Sequence, residues 1–222
     1  MSLLERSAAV TGPLVGAAFL GGVGTAVKLS NHPYPRPGAD ADAIRTYFTD
    51  GARGARVSAT GQLVSATALA AFSGAVAAFA RRSGRRSVRR PRRDPAADRL
   101  AAAAVGGGAL ASAALTTSGL HAAALTTRRA ADPGRAVALH RRAFLAGGPA
   151  HGLGFGVLLG ALGLTGLRGG TLPRPLAIAA AVPNMLGPLY LVAEPAGWFI
   201  PMGRFPGLII TGVAGAHIAR NG

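Results

Sequence analysis

Six stretches of this chain carry no Asp, Glu, Lys or Arg: residues 7–27, 57–80, 100–127, 143–167, 175–193 and 205–219, which are 21, 24, 28, 25, 19 and 15 residues long. A bilayer hydrocarbon core of about 30 Å takes about 20 apolar residues in a helix. A surface helix of a water-soluble protein needs a polar face and does not supply such gaps. Four of the six stretches exceed 20 residues and a fifth falls one short. The spacing of charge therefore predicts an all-α, polytopic transmembrane helical bundle of about six spans, forming a single integral membrane domain over residues 1–222. Five spans plus a re-entrant segment is the alternative count.

Charge is scarce and one-sided. Charged residues make up 14% of the chain, yet the net charge is +16, against roughly 25% charged residues in a soluble domain. The two facts agree because the charges sit between the apolar runs. With no cysteine, disulfides, thiolate metal sites and cysteine nucleophiles are excluded. The first apolar run is longer than the core of about 7–15 residues in a secretory signal and is followed by "KLSNHPYPRP", without a small-residue cleavage motif. It reads as a retained first span.

The connections carry further signals. After span 1, a proline-rich opening gives way to "DAIRTYF", a short helix capped by Asp40 or Asp42, with Ile44, Tyr47 and Phe48 on one face. Such a piece is expected to lie at the membrane surface. Asp132-Pro133 starts another helix, with Asp as the cap and Pro in its first turn, and that helix can run on into span 4. Pro183, Pro188 and Pro195 predict kinks in span 5, and Trp198 and Phe199 stand where an interfacial aromatic belt would lie. Asp42 with Arg45, and Asp132 with Arg135, hint at two duplicated hairpins.

The stretch 81–99 holds nine arginines and reads as a solvated cytoplasmic loop by the excess of positive charge on that side of membranes. Both termini then lie in the cytoplasm of a plasma-membrane protein. Thirteen Lys and Arg residues fall on that inner side and eleven on the outer, so one dense loop sets the orientation. Arg81, Arg82, Arg85, Arg86, Arg89 and Arg90 are candidates for anionic lipid headgroups. Nucleic acid is not expected as a partner, because residues 81–93 contain no aromatic side chain and no nucleic-acid-binding motif surrounds them.

Two patterns bear on assembly and chemistry. Glycines at 148, 152, 156 and 160 repeat every four residues, and Gly12 with Gly16 gives a shorter version on span 1. In lipid, such ladders let a neighbouring backbone approach closely, which places span 4 centrally. Polar residues inside spans mark functional candidates, since they are costly there. Gln62, His121, His151 and Glu194 lie on four spans at similar depth in the outer third, at about 1.5 Å of rise per residue. Convergence would make an outward-opening pocket for a small ligand, ion or lipid.

His121, His151 and Glu194 are the metal candidates; His151 and Glu194 are the acid–base pair if the protein is instead a membrane enzyme acting on a hydrophobic substrate. Depth alone also permits a haem between His121 and His151, but no motif indicates a cofactor. A membrane-embedded accessory subunit, in a hetero- or homo-oligomer, is the other reading.

"AFLAGGPAHGLGFGVLLG" and "FIPMGRFPG" resemble small multi-span membrane proteins of actinobacteria, in which a Gly-Gly-x-x-His element precedes a final Pro-Leu-Gly-Arg-Phe-Pro-Gly-like turn. The matching positions are Gly147, Gly148 and His151, then Pro201 to Gly207, with Met202 in place of Leu. The resemblance implies the membrane class and adds weight to His151 and to Arg204 as a ligand-binding residue. It implies no reaction.

Overall fold

The computed structural model describes residues 2–86, 94–169, 174–193 and 198–221, and every regular element among them is helical. Helix α1 (Leu3–Leu29) begins with a reciprocal cap. The Ser2 hydroxyl accepts from the Glu5 N–H, and the Glu5 carboxylate accepts from the Ser2 N–H at 2.8 Å. Helix α2 (Ala41–Asp50) is the expected amphipathic piece, capped by Asp40, which accepts from the Ala43 N–H at 2.7 Å. Helices α3 (Ala52–Arg86) and α4 (Pro95–Leu125) follow, and Asp94 caps the latter. Asp132 caps α5 (Pro133–Leu145), with Pro133 in its first turn.

A single wide turn of π-helix, Ala146–Ala150, joins α5 to α6 (His151–Gly169) without a break in the rod. Pro149 has no N–H to give to the preceding turn. The His151 N–H reaches back to the Ala146 carbonyl instead, an i→i+5 bond that accommodates one extra residue. Helix α7 (Arg174–Leu186) tightens at Pro188 into a 3-10 segment, Gly187–Leu191, and α8 (Phe199–Asn221) closes the chain.

Five of these rods are long and apolar enough to cross a membrane: Leu3–Leu29, Ala52–Gly84, Pro95–Leu125, Pro133–Gly166 and Phe199–Arg220. The sixth apolar segment, Ala177–Leu191, is shorter, and its prolines account for its broken course. The bundle is thus all-α and built to sit in a bilayer.

Small residues set the helix spacing. A Cβ on Gly61 of α3 would lie 2.5 Å from the Ala18 carbonyl oxygen and 2.9 Å from Gly22 Cα of α1. A Cβ on Gly154 of α6 would lie 2.7 Å from the Gly107 carbonyl oxygen of α4. Gly12 of α1 and Gly215 of α8 abut in the same way. Such approaches are how helices gain contact where lipid is as apolar as their own side chains. The ladder on α6 works in part as its spacing suggests. Gly152 and Gly156 face the Asn184 and Ala181 carbonyls of α7, Gly148 faces Ile200 of α8, and Gly160 faces nothing within 4 Å. Phe72, Leu115, Phe155, Leu158, Leu159 and Ile218 fill the core between the rods.

Two expectations change. Helix α3 does not stop at residue 80 but continues to Arg86, since arginine is a good helix former and two of the added residues find partners. Arg82 forms an ion pair with the buried Glu5 carboxylate, and Arg81 lies 3.8 Å from Asp98. Only the backbone of Arg85 and Arg86 is described, and Arg89 and Arg90 lie outside the described residues. The second change concerns α2. Its Ile44, Tyr47 and Phe48 pack on Ala55, Ala59, Ala122, Leu125 and Ala136, so its apolar face covers the end of the bundle rather than lying in lipid. Burial of a large apolar side chain stabilises by about 1.5–3 kcal/mol, and this cap contributes three.

Candidate functional site

The end of the bundle opposite the Glu5–Arg82 pair contains a cavity of about 280 Å³. It exists because α1 and α8 diverge. Near their contact at Gly12 and Gly215 the two backbones touch, and Gly16 still meets Leu208. One turn further along α1 stands Phe19, and α8 offers Arg204 opposite it, with the guanidinium carbon 5.1 Å from the ring centroid. Beyond that level α1 supplies Val23, Ala26 and Val27, and α8 supplies Ile200. Helices α3 and α4 contribute Ser58, Gln62, Leu115 and Ser118, and the π-turn region contributes Phe144, Gly147 and Gly148. Tyr34 and Tyr47, from the segment before α2 and from α2 itself, complete the wall.

The polar groups on this wall are few and unevenly satisfied. One Arg204 guanidinium nitrogen donates to the Gly147 carbonyl in the π-turn. Arg204 Nε is buried and has no partner, and Gln62 Oε1 is buried and has none either. Among the described residues no carboxylate pairs with Arg204. A guanidinium in apolar surroundings with one carbonyl and one aromatic face has donors to spare. A buried polar atom without a partner costs about 1–3 kcal/mol.

The aromatic cover is packed edge to face. Tyr34 stands 5.3 Å from Tyr47 and 6.2 Å from Phe48, and His140 of α5 lies 5.8 Å from Tyr34. Burial pushes the Tyr47 phenol above its ordinary pKa, because the apolar setting disfavours the phenolate. His140 is buried, and its Nε2 has no partner.

The sequence candidates separate into groups. Gln62 and Arg204 share the cavity wall. His151 is 2% exposed, its Nδ1 lies 3.1 Å from the Ala111 carbonyl, and its ring stacks on Phe155 at 5.4 Å. It therefore sits at the α4–α6 contact and is not among the residues lining the cavity. His121 Nδ1 lies 2.7 Å from the Thr117 carbonyl of its own helix. Glu194 lies outside the described residues. Among the described residues no group of three metal-ligating side chains comes together.

Tyr34, Phe19 and Phe144 escaped the reading of the sequence, and Tyr47 was read only as part of the apolar face of α2. Their only signals were a Tyr between two prolines and the aromatic face of α2. No family model, curated protein or solved structure matches this chain.

Proposed function

We propose that this protein is a multi-pass plasma-membrane protein that binds a small ligand in the cavity at its outward end. The observation that carries the reading is that Arg204 and Gln62, each with one buried, unpartnered polar atom, both line one cavity whose lining is mostly apolar. Ligand sites of this kind combine apolar walls with a few converging polar groups. The outward direction follows from the positive charge of residues 81–99, whose described members Arg81 and Arg82 stand at the opposite end and which the membrane's charge rule retains in the cytoplasm, with both termini. There the same arginines meet anionic headgroups.

The acid–base reading gains no support from His151, whose ring nitrogen is engaged with a carbonyl of α4. That hydrogen bond supports binding over acid–base chemistry at His151.

The test is extraction and mass spectrometry of the detergent-purified protein. The wild type should carry a small molecule in stoichiometric amount, and an Arg204→Met/Gln62→Leu variant of equal monodispersity should carry none. A wild type that carries nothing, or a variant that retains the same molecule, overturns the reading. Because the chain has no cysteine, a single Asp42→Cys variant gives the orientation. An impermeant maleimide should label it in intact cells, and labelling only after lysis reverses the topology.

A further inference from the structure

The cavity's chemistry and its position on the bundle also restrict what enters it and from where. Arg204 is a fixed positive charge whose Nη2 side is held by the Gly147 carbonyl and whose flat face rests on Phe19. Its Nε edge is buried and unpaired. Arg204 lines the cavity, and a guanidinium suits a carboxylate or phosphate oxygen better than any neutral group. Gln62 lines the same cavity, and turning its terminal amide presents an N–H to an anion, or the carbonyl to a protonated oxygen. A cation would meet Arg204 with no carboxylate beside it among the described residues.

Apart from the hydroxyls of Ser58, Ser118, Tyr34 and Tyr47, the remaining wall is apolar, and so is its margin. Val23, Ala26, Val27, Leu115, Phe144 and Ile200 hold no hydrogen-bonding side chain. Val27 lines the cavity yet is 70% exposed, and Val23 is also exposed, so this side of the cavity is open. The outer faces of the two helices that bound it continue the same character. Val10, Leu14 and Leu20 are exposed on α1, and Phe205, Ile209 and Val213 on α8. In a bilayer these faces meet acyl chains, and the exposed Val23 and Val27 open the cavity beside them. At roughly 30 Å³ per water-sized group, a cavity of about 280 Å³ takes a headgroup and the first few methylenes. A longer chain must project through this opening.

We infer that the ligand is a single-chain anionic amphiphile, of fatty-acid or lysophosphatidate chemistry, which enters from the lipid past Val23 and Val27 and places its acidic head on Arg204. This inference rests on the cavity reading above and names its ligand class and route.

Trp198, the chain's single tryptophan, is exposed and stands two residues before Ile200 of the cavity wall, and so serves as the probe. The protein in nanodiscs of neutral phosphatidylcholine is titrated with a dodecanoate brominated along its chain. Saturable quenching is expected, and Arg204→Met should weaken its half-saturation at least tenfold. Arg204→Lys, which keeps the charge and loses the fork, should fall between, and Gln62→Leu supplies the comparison if Arg204→Met does not purify as a monodisperse species. Unlabelled dodecanoate should displace the probe, whereas dodecylammonium and dodecanol should not.

Equal displacement by the ammonium or the alcohol overturns the anionic head. Displacement by aqueous butyrate or inorganic phosphate at matched concentration overturns entry from the lipid and assigns the site to a soluble anion. If quenching is not saturable while the purified wild type still carries a molecule that the double variant lacks, the ligand class falls and the cavity reading stands. If neither is seen, both fall.

Discussion

Helices α1 and α8 lie side by side, yet the two ends of their contact are built on opposite terms. At one end Gly12 and Gly215 bring backbone against backbone, and the nearby charges are matched, Arg82 with Glu5 and Arg81 with Asp98. At the other end Phe19 and Arg204 hold the helices apart, and the arginine has a carbonyl and a ring but no carboxylate among the described residues. Glycine at the crossing makes the separation of the helices a function of side-chain size alone. Where it is smallest the contact is dry, and where a ring and a guanidinium intervene a cavity follows. The pair also distinguishes two uses of arginine at a membrane. Arg82 completes a structure, whereas Arg204 leaves donors over.

The closed end is the easiest to break. Gly12→Val places side-chain carbons against the Thr211 carbonyl and Gly215 Cα, both backbone, so neither neighbour can swing away. Overpacking costs about 1–3 kcal/mol where side chains can adjust. We expect the upper end or more, read as loss of the monodisperse peak in size-exclusion chromatography and a lowered thermal midpoint. A variant as stable as the wild type would show that the contact does not set the helix spacing.

The two arginines should then respond with opposite sign. Glu5→Gln removes the charge facing Arg82 and should destabilise by about 2 kcal/mol, below the value for a fully dry pair because Arg82 is partly exposed. Arg204→Met replaces a largely desolvated charge by an apolar side chain of similar length. It should stabilise the ligand-free protein by about 1 kcal/mol, read as a raised thermal midpoint. Destabilisation by both would mean that Arg204 is structural too.

The smallest effect comes from the glycine ladder. Gly160 has open space around its missing Cβ, so Gly160→Ala should stabilise by about 0.5–1 kcal/mol through helix propensity. Gly156→Ala meets the Met185 side chain at 2.6 Å and the Ala181 carbonyl at 2.9 Å and should destabilise. Chemical denaturation followed by Trp198 fluorescence measures both, and equal effects would break the distinction between the two rungs.

Much of this architecture was legible in the sequence because the relevant forces are local or periodic. Charge-free runs mark apolar rods, Asp40 and Asp132 are caps that must stand at helix starts, and the face of Ile44, Tyr47 and Phe48 is written at helical spacing. The end of α3 was not legible, because what holds Arg81 and Arg82 in helix comes from Asp98 and Glu5, far away in sequence. The candidate site was legible in depth and not in azimuth. Residues on different rods at one height say nothing about which way each rod is turned, so Gln62 came to the cavity while His121 bonds its own helix. Arg204 was marked only by the resemblance of its turn, and Tyr34 reaches the wall through a proline-rich segment whose path has no period to read.

The wide turn at Ala146–Ala150 has a consequence for how this chain can change. An α-helix advances by about 100° per residue, and a π-turn absorbs one residue more than an α-turn. It therefore works as a phase shifter between α5 and α6. It lets α5 aim His140 and Ala143 inward while α6 independently aims His151, Phe155 and Leu159 at the core. Removing a single residue there would leave both helices intact as sequences and rotate one against the other. The buried stripe of α6 would turn toward lipid. The segment "GGPAH" is for that reason a part of the chain whose length matters more than its composition, tolerant of side-chain exchange on its outer side and intolerant of insertion or deletion.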